Sequence, residues 1–452
     1  MSSPFVGAFG ADPARNRFAR LVCVVVAVIG WANLATMGRA MLAKNPPDAG
    51  FDLQLLLDAG KRVAAGLSPY DPTAVANGLK AQDLFYSYPP IVAQILAPIS
   101  GLPTWLVLSG WWIGAVAGLA VVAALLARSP LGRPASTPAS TPASTPAALS
   151  LDSALIALAA APYFFPFAIA LLFGNVDAWF PLLFGVVALT VVSGGAVPRV
   201  TSTAGGAALA IASVLKLHPA TLAVSLAGRR PGVSSGRRPG FVVVGVAMAT
   251  GAAILAVSLV IGGVGPWRDY LDYLRVAGSA DLASRVNIGP ASQLALLAGD
   301  PNLAHSLAVV FAVVAIAATI ASARLVRDDL ECFGWAVVAS LVVLPVTWYH
   351  YPVALIPVAL AAWTRSRGSS AGRRVTWALL GAYLVADVAI VLPVTLWLAV
   401  ALLLVAVRWS RPQPGIEPAP RAEPTLEPAP GAEPTLEPAP GAEPTSPAPA
   451  LA

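Results

Sequence analysis

Charge is what this sequence has least of. Only 11% of its 452 residues are charged, whereas a soluble globular domain carries about 25%. Hydrophobic residues make up 57% and the mean hydropathy is +0.74. Such a chain cannot cover a water-facing surface, which excludes a soluble enzyme or carrier. Cysteine is scarce too. Cys23 and Cys332 stand alone in or beside apolar segments, which excludes a disulfide framework and a cysteine zinc site. The sequence contains no His-Glu-x-x-His, no paired Asp-x-Asp and no Gly-x-x-x-x-Gly-Lys-Ser/Thr phosphate loop. No metal or other cofactor is therefore expected. Basic stripes interleaved with aromatics are missing as well, so the net charge of +6 does not point to nucleic acid.

What is present is a series of continuous apolar runs. They do not alternate as the strands of a membrane barrel do, and they reach helix length for a bilayer. Backbone groups in hydrocarbon must be satisfied within each segment, so the fold class is an all-α polytopic membrane protein. Arginines cluster in short segments between the runs, where cytoplasmic loops carry them. They set a topology of about ten full spans plus re-entrant pieces, with both termini cytoplasmic.

Residues 1–19 form the expected cytoplasmic N-terminus. The run over residues 21–41 follows Arg15, Arg17 and Arg20. It exceeds a signal-peptide core of about 7–15 residues and reads as a retained anchor helix. An outer loop follows over 43–90, with an interfacial helix from Phe51 to Leu67 ending at Gly66 and Ser68-Pro69-Tyr70-Asp71-Pro72. Residues 91–100 make only half a span. The Pro-Ala-Ser-Thr repeats within 128–150 form a low-complexity linker. Pro162 and Pro166 interrupt the next run, and Lys216-Leu217-His218-Pro219 breaks the one over 207–226 into a re-entrant pair. A second outer loop spans 262–303. The Pro- and Glu-rich repeats of 411–452 are an extended tail outside a membrane domain of residues 20–410.

Few polar groups remain for chemistry. Asp52 opens the interfacial helix beside Phe51, Leu53, Leu55, Leu56 and Leu57. A carboxylate at an apolar edge is desolvated, which raises its pKa and suits a general base. The same residue can instead cap the helix that follows, and both readings stand at this point. Asp58, Lys61 and Arg62 are spaced to pair along one helix face, and Asp71 suits a turn. Lys216 and His218 fall at a break inside an apolar stretch. Ionisable groups there either serve a function or snorkel to the interface. His350 sits in an aromatic turn with Trp348, Tyr349 and Tyr351. Arg268, Arg275 and Arg285 put positive charge in the second outer loop, where it can neutralise a phosphate.

These motifs, in order, resemble glycosyltransferase family 87, a GT-C-fold family that uses polyprenyl-phosphate sugars. The resemblance rests on Phe51-Asp52-Leu53, Pro69-Tyr70-Asp71-Pro72, Tyr88-Pro89-Pro90, Gly174-Asn175, Lys216-Leu217-His218-Pro219 and Trp348-Tyr349-His350, and covers residues 20–410. Leu56 and Leu57 stand where the family often has an aromatic, which removes the expected sugar stacking there. The resemblance implies a GT-C-like bundle of about 10–12 transmembrane helices. It implies inverting transfer of mannose or arabinofuranose from a polyprenyl-phosphate donor to a hydroxyl of a lipid-linked glycan, glycolipid or other cell-envelope acceptor. It makes Asp52 the base and puts Lys216 and His350 on the departing phosphate. Tyr88, Asn175, Arg275 and Arg285 complete the expected substrate-binding set. The implied place is the plasma membrane, among its lipids, with the active site on the extracytoplasmic side. A transporter or flippase is the rival reading, because broken helices and intramembrane charge occur there too. It predicts two related halves, and no second copy of the Asp52 loop or the Lys216 break is present.

Overall fold

The computed structural model describes residues 13–44, 48–73, 86–132, 146–192, 199–229, 239–277, 282–367, 369, 371–389 and 391–411. Asp83, the core of the Pro-Ala-Ser-Thr linker and the Glu/Pro repeats of the tail lie outside them. The described residues are helical, with no strand among them, in keeping with an all-α membrane protein.

Helix α1 (Pro13–Leu42) is followed by the amphipathic α2 (Phe51–Ala64) and the short α3 (Pro90–Leu96). Then come α4 (Thr104–Arg128), α5 (Pro146–Ala160), α6 (Phe165–Phe173), α7 (Phe180–Val192) and α8 (Arg199–Leu215). The middle of the chain forms α9 (Thr221–Gly228), α10 (Pro239–Gly262), α11 (Gly265–Ala277), α12 (Pro290–Ala298) and α13 (Leu303–Leu325). It closes with α14 (Asp329–Val342), α15 (Ile356–Ser366), α16 (Gly372–Val388) and α17 (Thr395–Trp409).

Four helices are long and apolar enough to cross a membrane alone: α1, α4, α10 and α13. The run broken by Pro162 and Pro166 folds as a pair of helices bent by 74° between Tyr163 and Phe165, a broken span or a re-entrant loop. The other expected spans fold as shorter helices. The run over 207–226 breaks as its sequence indicates. Helix α8 stops at Leu215, a 3-10 turn covers His218–Ala220, and α9 resumes at Thr221. Pro219 has no N–H to continue the ladder, which enforces the break.

Two cores matter for the site. One joins α7, α8, α9, α14, α15 and α17 through Phe180, Leu209, Leu222, Phe333, Val358 and Leu403. The other holds α2 in place. Leu53, Leu56 and Leu57 are buried on one face of α2 against Tyr70, Tyr88, Ile91, Leu108 and Val176. Each such leucine contributes about 1.5–3 kcal/mol relative to exposure in water. The opposite face carries exposed Asp58 and Lys61, paired at 2.9 Å. At 14 residues with a charged face, α2 does not cross the membrane.

Arg62 does not join the Asp58 pair. Its guanidinium donates to the carbonyls of Ser68 and Tyr70, at 2.8 and 3.0 Å, and so ties down the turn after α2. Asp71 is a turn residue: its Oδ1 accepts from the backbone and hydroxyl of Thr73.

Candidate active site

The start of α2 decides where Asp52 points. Gly50, not Asp52, occupies the N-cap, in the left-handed conformation at φ 72°. The capping role open to Asp52 in the sequence is therefore not taken up. The backbone N–H of Gly50 donates to the carbonyl of Leu172 at 2.7 Å, and Phe51 packs on Phe173 with ring centroids 4.1 Å apart. Both contacts fasten the first turn of α2 to the end of α6. Helix α6 ends on Gly174, also left-handed at φ 67°. A Cβ there would lie 2.6 Å from the Cβ of Leu53. A side chain is excluded on two counts, conformation and space. That close approach brings the Asn175 amide against Asp52.

Asn175 Nδ2 donates to Asp52 Oδ2 at 2.7 Å. The amide cannot be turned around, because its Oδ1 accepts the backbone N–H of Asp177 at 2.9 Å and caps the 3-10 turn Val176–Trp179. The indole N–H of Trp111 donates to the Asn175 carbonyl at 3.1 Å and fixes the residue from the other side. Asp52 itself is half-buried. Burial pushes its carboxyl up to about 6. The Asn175 hydrogen bond and the Lys216 charge oppose that rise, and Asp177 adds to it.

Asp177 is fully buried. Its Oδ2 meets Lys216 Nζ at 3.1 Å, an ion pair with both side chains nearly out of solvent. A buried carboxylate needs such a partner, because an unpaired charge in a low dielectric costs several kcal/mol. His350 Nε2 comes within 3.5 Å of the same oxygen, without the alignment of a hydrogen bond. Lys216 Nζ also lies 3.8 Å over the ring of Tyr351. Tyr351 sits between two histidines, edge-on to His350 at 5.0 Å and stacked with His218 at 5.8 Å. His218 Nδ1 reaches Ser340 Oγ at 3.3 Å. The turn that carries His350 is anchored by buried Asn287. Its side chain takes the Thr347 N–H at 2.9 Å and donates to the carbonyl of Pro345 at 3.0 Å.

The structure thus links Asp52, Asn175, Asp177, Lys216 and His350 in one chain of polar contacts. Tyr88 is buried beside α2 in the same core, close enough to feel the charges of Asp52 and Asp177. Arg275 and Arg285 stand apart. Arg275 is exposed and pairs with Asp272 at 2.6 Å one turn earlier in α11. Arg285 is exposed, and its carbonyl receives the Tyr349 hydroxyl at 3.3 Å. Sequence reasoning passed over Asp177 and Tyr351. The signal for Asp177 was available: an acid inside an apolar stretch needs a cation, and Lys216 is the lysine at a membrane-depth break. Among the described residues, no cluster of three or more His, Cys, Asp or Glu side chains is arranged to hold a metal ion.

No curated protein and no solved structure matches the chain. A family model, glycosyltransferase family 87, matches residues 86–347. That stretch contains Tyr88, Asn175, Asp177, Lys216 and His218, while Asp52 precedes it and His350 follows it. With more than half of the sequence matched and a bundle of apolar helices around the site, this chain belongs to glycosyltransferase family 87 and is a multi-pass membrane glycosyltransferase.

Proposed function

We propose that the enzyme transfers a sugar from a polyprenyl-phosphate donor to a hydroxyl of a lipid-linked or cell-envelope glycan, with Asp52 as general base. Mannose is the favoured sugar and arabinofuranose the alternative. One observation carries the reading. A carboxylate with a raised pKa and a buried ammonium belong to one polar chain, joined through Asn175 and Asp177. Transfer needs both: a base where a proton leaves and a cation where a phosphate departs.

In the reaction, the acceptor oxygen attacks the anomeric carbon as Asp52 takes its proton. The bond from that carbon to the phosphate oxygen breaks, and its electron pair leaves with the lipid phosphate. A single displacement of this kind inverts the anomeric centre. Lys216 stabilises the charge that develops on the phosphate. His350, beside Asp177 and edge-on to Tyr351, contacts the phosphate or a sugar hydroxyl. Tyr88 shapes the wall next to Asp52. The outer-loop charges of Arg275 and Arg285 attract the anionic donor. The site faces the extracytoplasmic side of the plasma membrane, with both termini in the cytoplasm.

The test is transfer by the purified protein in lipid. It is given polyprenyl-phosphate-mannose or polyprenyl-phosphate-arabinofuranose with a glycolipid acceptor, and the product is resolved by mass. Consumption of one donor with an inverted linkage is expected. If neither donor is consumed, the proposed donor class is wrong.

A further inference from the structure

Asp177 belongs to no role derived above, yet it touches both ends of the site. Its main chain acts on one end. The Asp177 N–H occupies Asn175 Oδ1 at 2.9 Å, which leaves Nδ2 as the atom that faces Asp52. Its side chain acts on the other end. Oδ2 holds Lys216 Nζ at 3.1 Å, and His350 Nε2 approaches the same oxygen at 3.5 Å. The second oxygen, Oδ1, is buried and has no hydrogen-bond partner among the described residues. An ion pair kept only for stability would have both oxygens satisfied, because a half-satisfied buried carboxylate is worse than an apolar replacement.

A lysine ammonium sits on a flexible stem and is a point charge with no preferred plane. Packing alone does not fix such a group, whereas a buried counter-charge does. The ring of Tyr351, 3.8 Å from Nζ, limits it from another direction.

We infer that Asp177 is a positioning residue, which holds the Lys216 ammonium at a fixed place relative to Asp52 before the donor arrives. The inference rests on the reading of Lys216 as the phosphate-binding cation. Asp177 touches neither reacting atom and acts through Lys216 and Asn175.

The experiment compares wild type, Asp177→Asn, Lys216→Met and the double variant, each as the full chain in lipid. Asp177→Asn keeps the N–H to Asn175 and the shape of the side chain, removes the charge and turns one oxygen into an NH2 donor. One readout needs no substrate: acylation of Lys216 by an amine-reactive reagent, followed by peptide mass spectrometry. Lys216 is expected to react about tenfold faster in Asp177→Asn, because a buried ammonium stripped of its counter-charge is held less firmly in place. The second readout is transfer from polyprenyl-phosphate-mannose or, if that is the donor used, polyprenyl-phosphate-arabinofuranose. The donor KM of Asp177→Asn should rise by about tenfold. The double variant should be no worse than Lys216→Met alone, since coupled residues do not add.

Unchanged Lys216 labelling overturns the inference, and so do single-variant losses that multiply in the double variant. Should Asp177→Asn fail to fold, the double variant decides, because it leaves no buried ion unpaired. A rate equal to that of Lys216→Met supports the inference. A further fall of about tenfold gives Asp177 a separate role and overturns it. Wild type that transfers from neither donor overturns the donor assignment, while the labelling still decides whether Asp177 holds Lys216.

Discussion

The side-chain amide of Asn175 donates to the carboxylate of Asp52 over 2.7 Å, across a sequence separation of 123 residues. An interfacial helix near the start of the chain and a turn between two apolar helices therefore act as one unit. A single hydrogen bond from a fixed donor leaves a carboxylate basic while holding its direction, which is what a base needs.

Asp52→Asn keeps the shape and removes the basicity. Transfer should fall by about 10²–10⁴-fold, the usual scale of general-base catalysis. Donor affinity should change little, since Lys216 and His350 remain. Steady-state transfer together with donor binding by calorimetry checks both points. Wild-type kcat in this variant would remove Asp52 from the mechanism.

The raised pKa of Asp52 gives a pH dependence with a definite sign. The working form is the carboxylate, so kcat/KM should rise with pH through about 6. Asn175→Ala removes a hydrogen bond that lowers this value, so the acid limb should move to higher pH. Stability runs the other way. A group whose value rises from 3.8 to about 6 on folding contributes stability below 3.8, and that contribution is lost as pH rises through about 6. A pH–rate profile of wild type and Asn175→Ala checks the first pair of expectations, and superimposable acid limbs would contradict them.

Much of this was legible in the residues, and the limits have physical causes. The apolar runs and the scarcity of charge lead to a helical membrane protein, because hydrocarbon admits few other solutions. Pro219 and Lys216 mark a break, and the chain breaks there. Long runs whose one arginine falls in the last turn, Arg128 and Arg324, gave full spans over 104–128 and 303–325. The shorter apolar segments did not declare their lengths, since where such a helix ends depends on its neighbours. At the site, Asp52 could not be told from a helix cap by local sequence. What separates the two roles is Gly50 in the left-handed region and the distant Asn175. Asp177 drew no reading from the sequence because its partner Lys216 lies 39 residues away. Arg275 offers positive charge to a phosphate in the sequence, and in the structure Asp272, three residues earlier, shares that charge.

Gly174 tests the scaffold without touching a charged group. Its φ of 67° and the 2.6 Å approach to Leu53 leave no room for a Cβ. Gly174→Ala should therefore separate Asn175 from Asp52 and destabilise the protein by about 1–3 kcal/mol, the scale of strain at such a site. Transfer should drop further than stability alone explains, by about 10²-fold, because a small misplacement of a catalytic group is costly. Thermal unfolding and transfer below the unfolding temperature are the two measurements. Normal kcat in a folded Gly174→Ala would show that this turn does not position the base.

The outer arginines call for a different test, because exposed charge acts at a distance. Arg275 is 78% exposed and already paired with Asp272, and such surface pairs contribute about 0–1 kcal/mol. Neither Arg275 nor Arg285 is expected to hold the phosphate during the chemical step. Their use is in the encounter with an anionic donor, where exposed positive charge acts on the association rate at low salt. The double variant Arg275→Ala/Arg285→Ala should lower kcat/KM by about threefold at 10 mM salt and leave kcat unchanged. At about 0.5 M salt the difference should vanish, because screening is then effective over a few ångströms. A loss that persists at high salt, or a fall in kcat at saturating donor, would place these side chains on the bound phosphate instead.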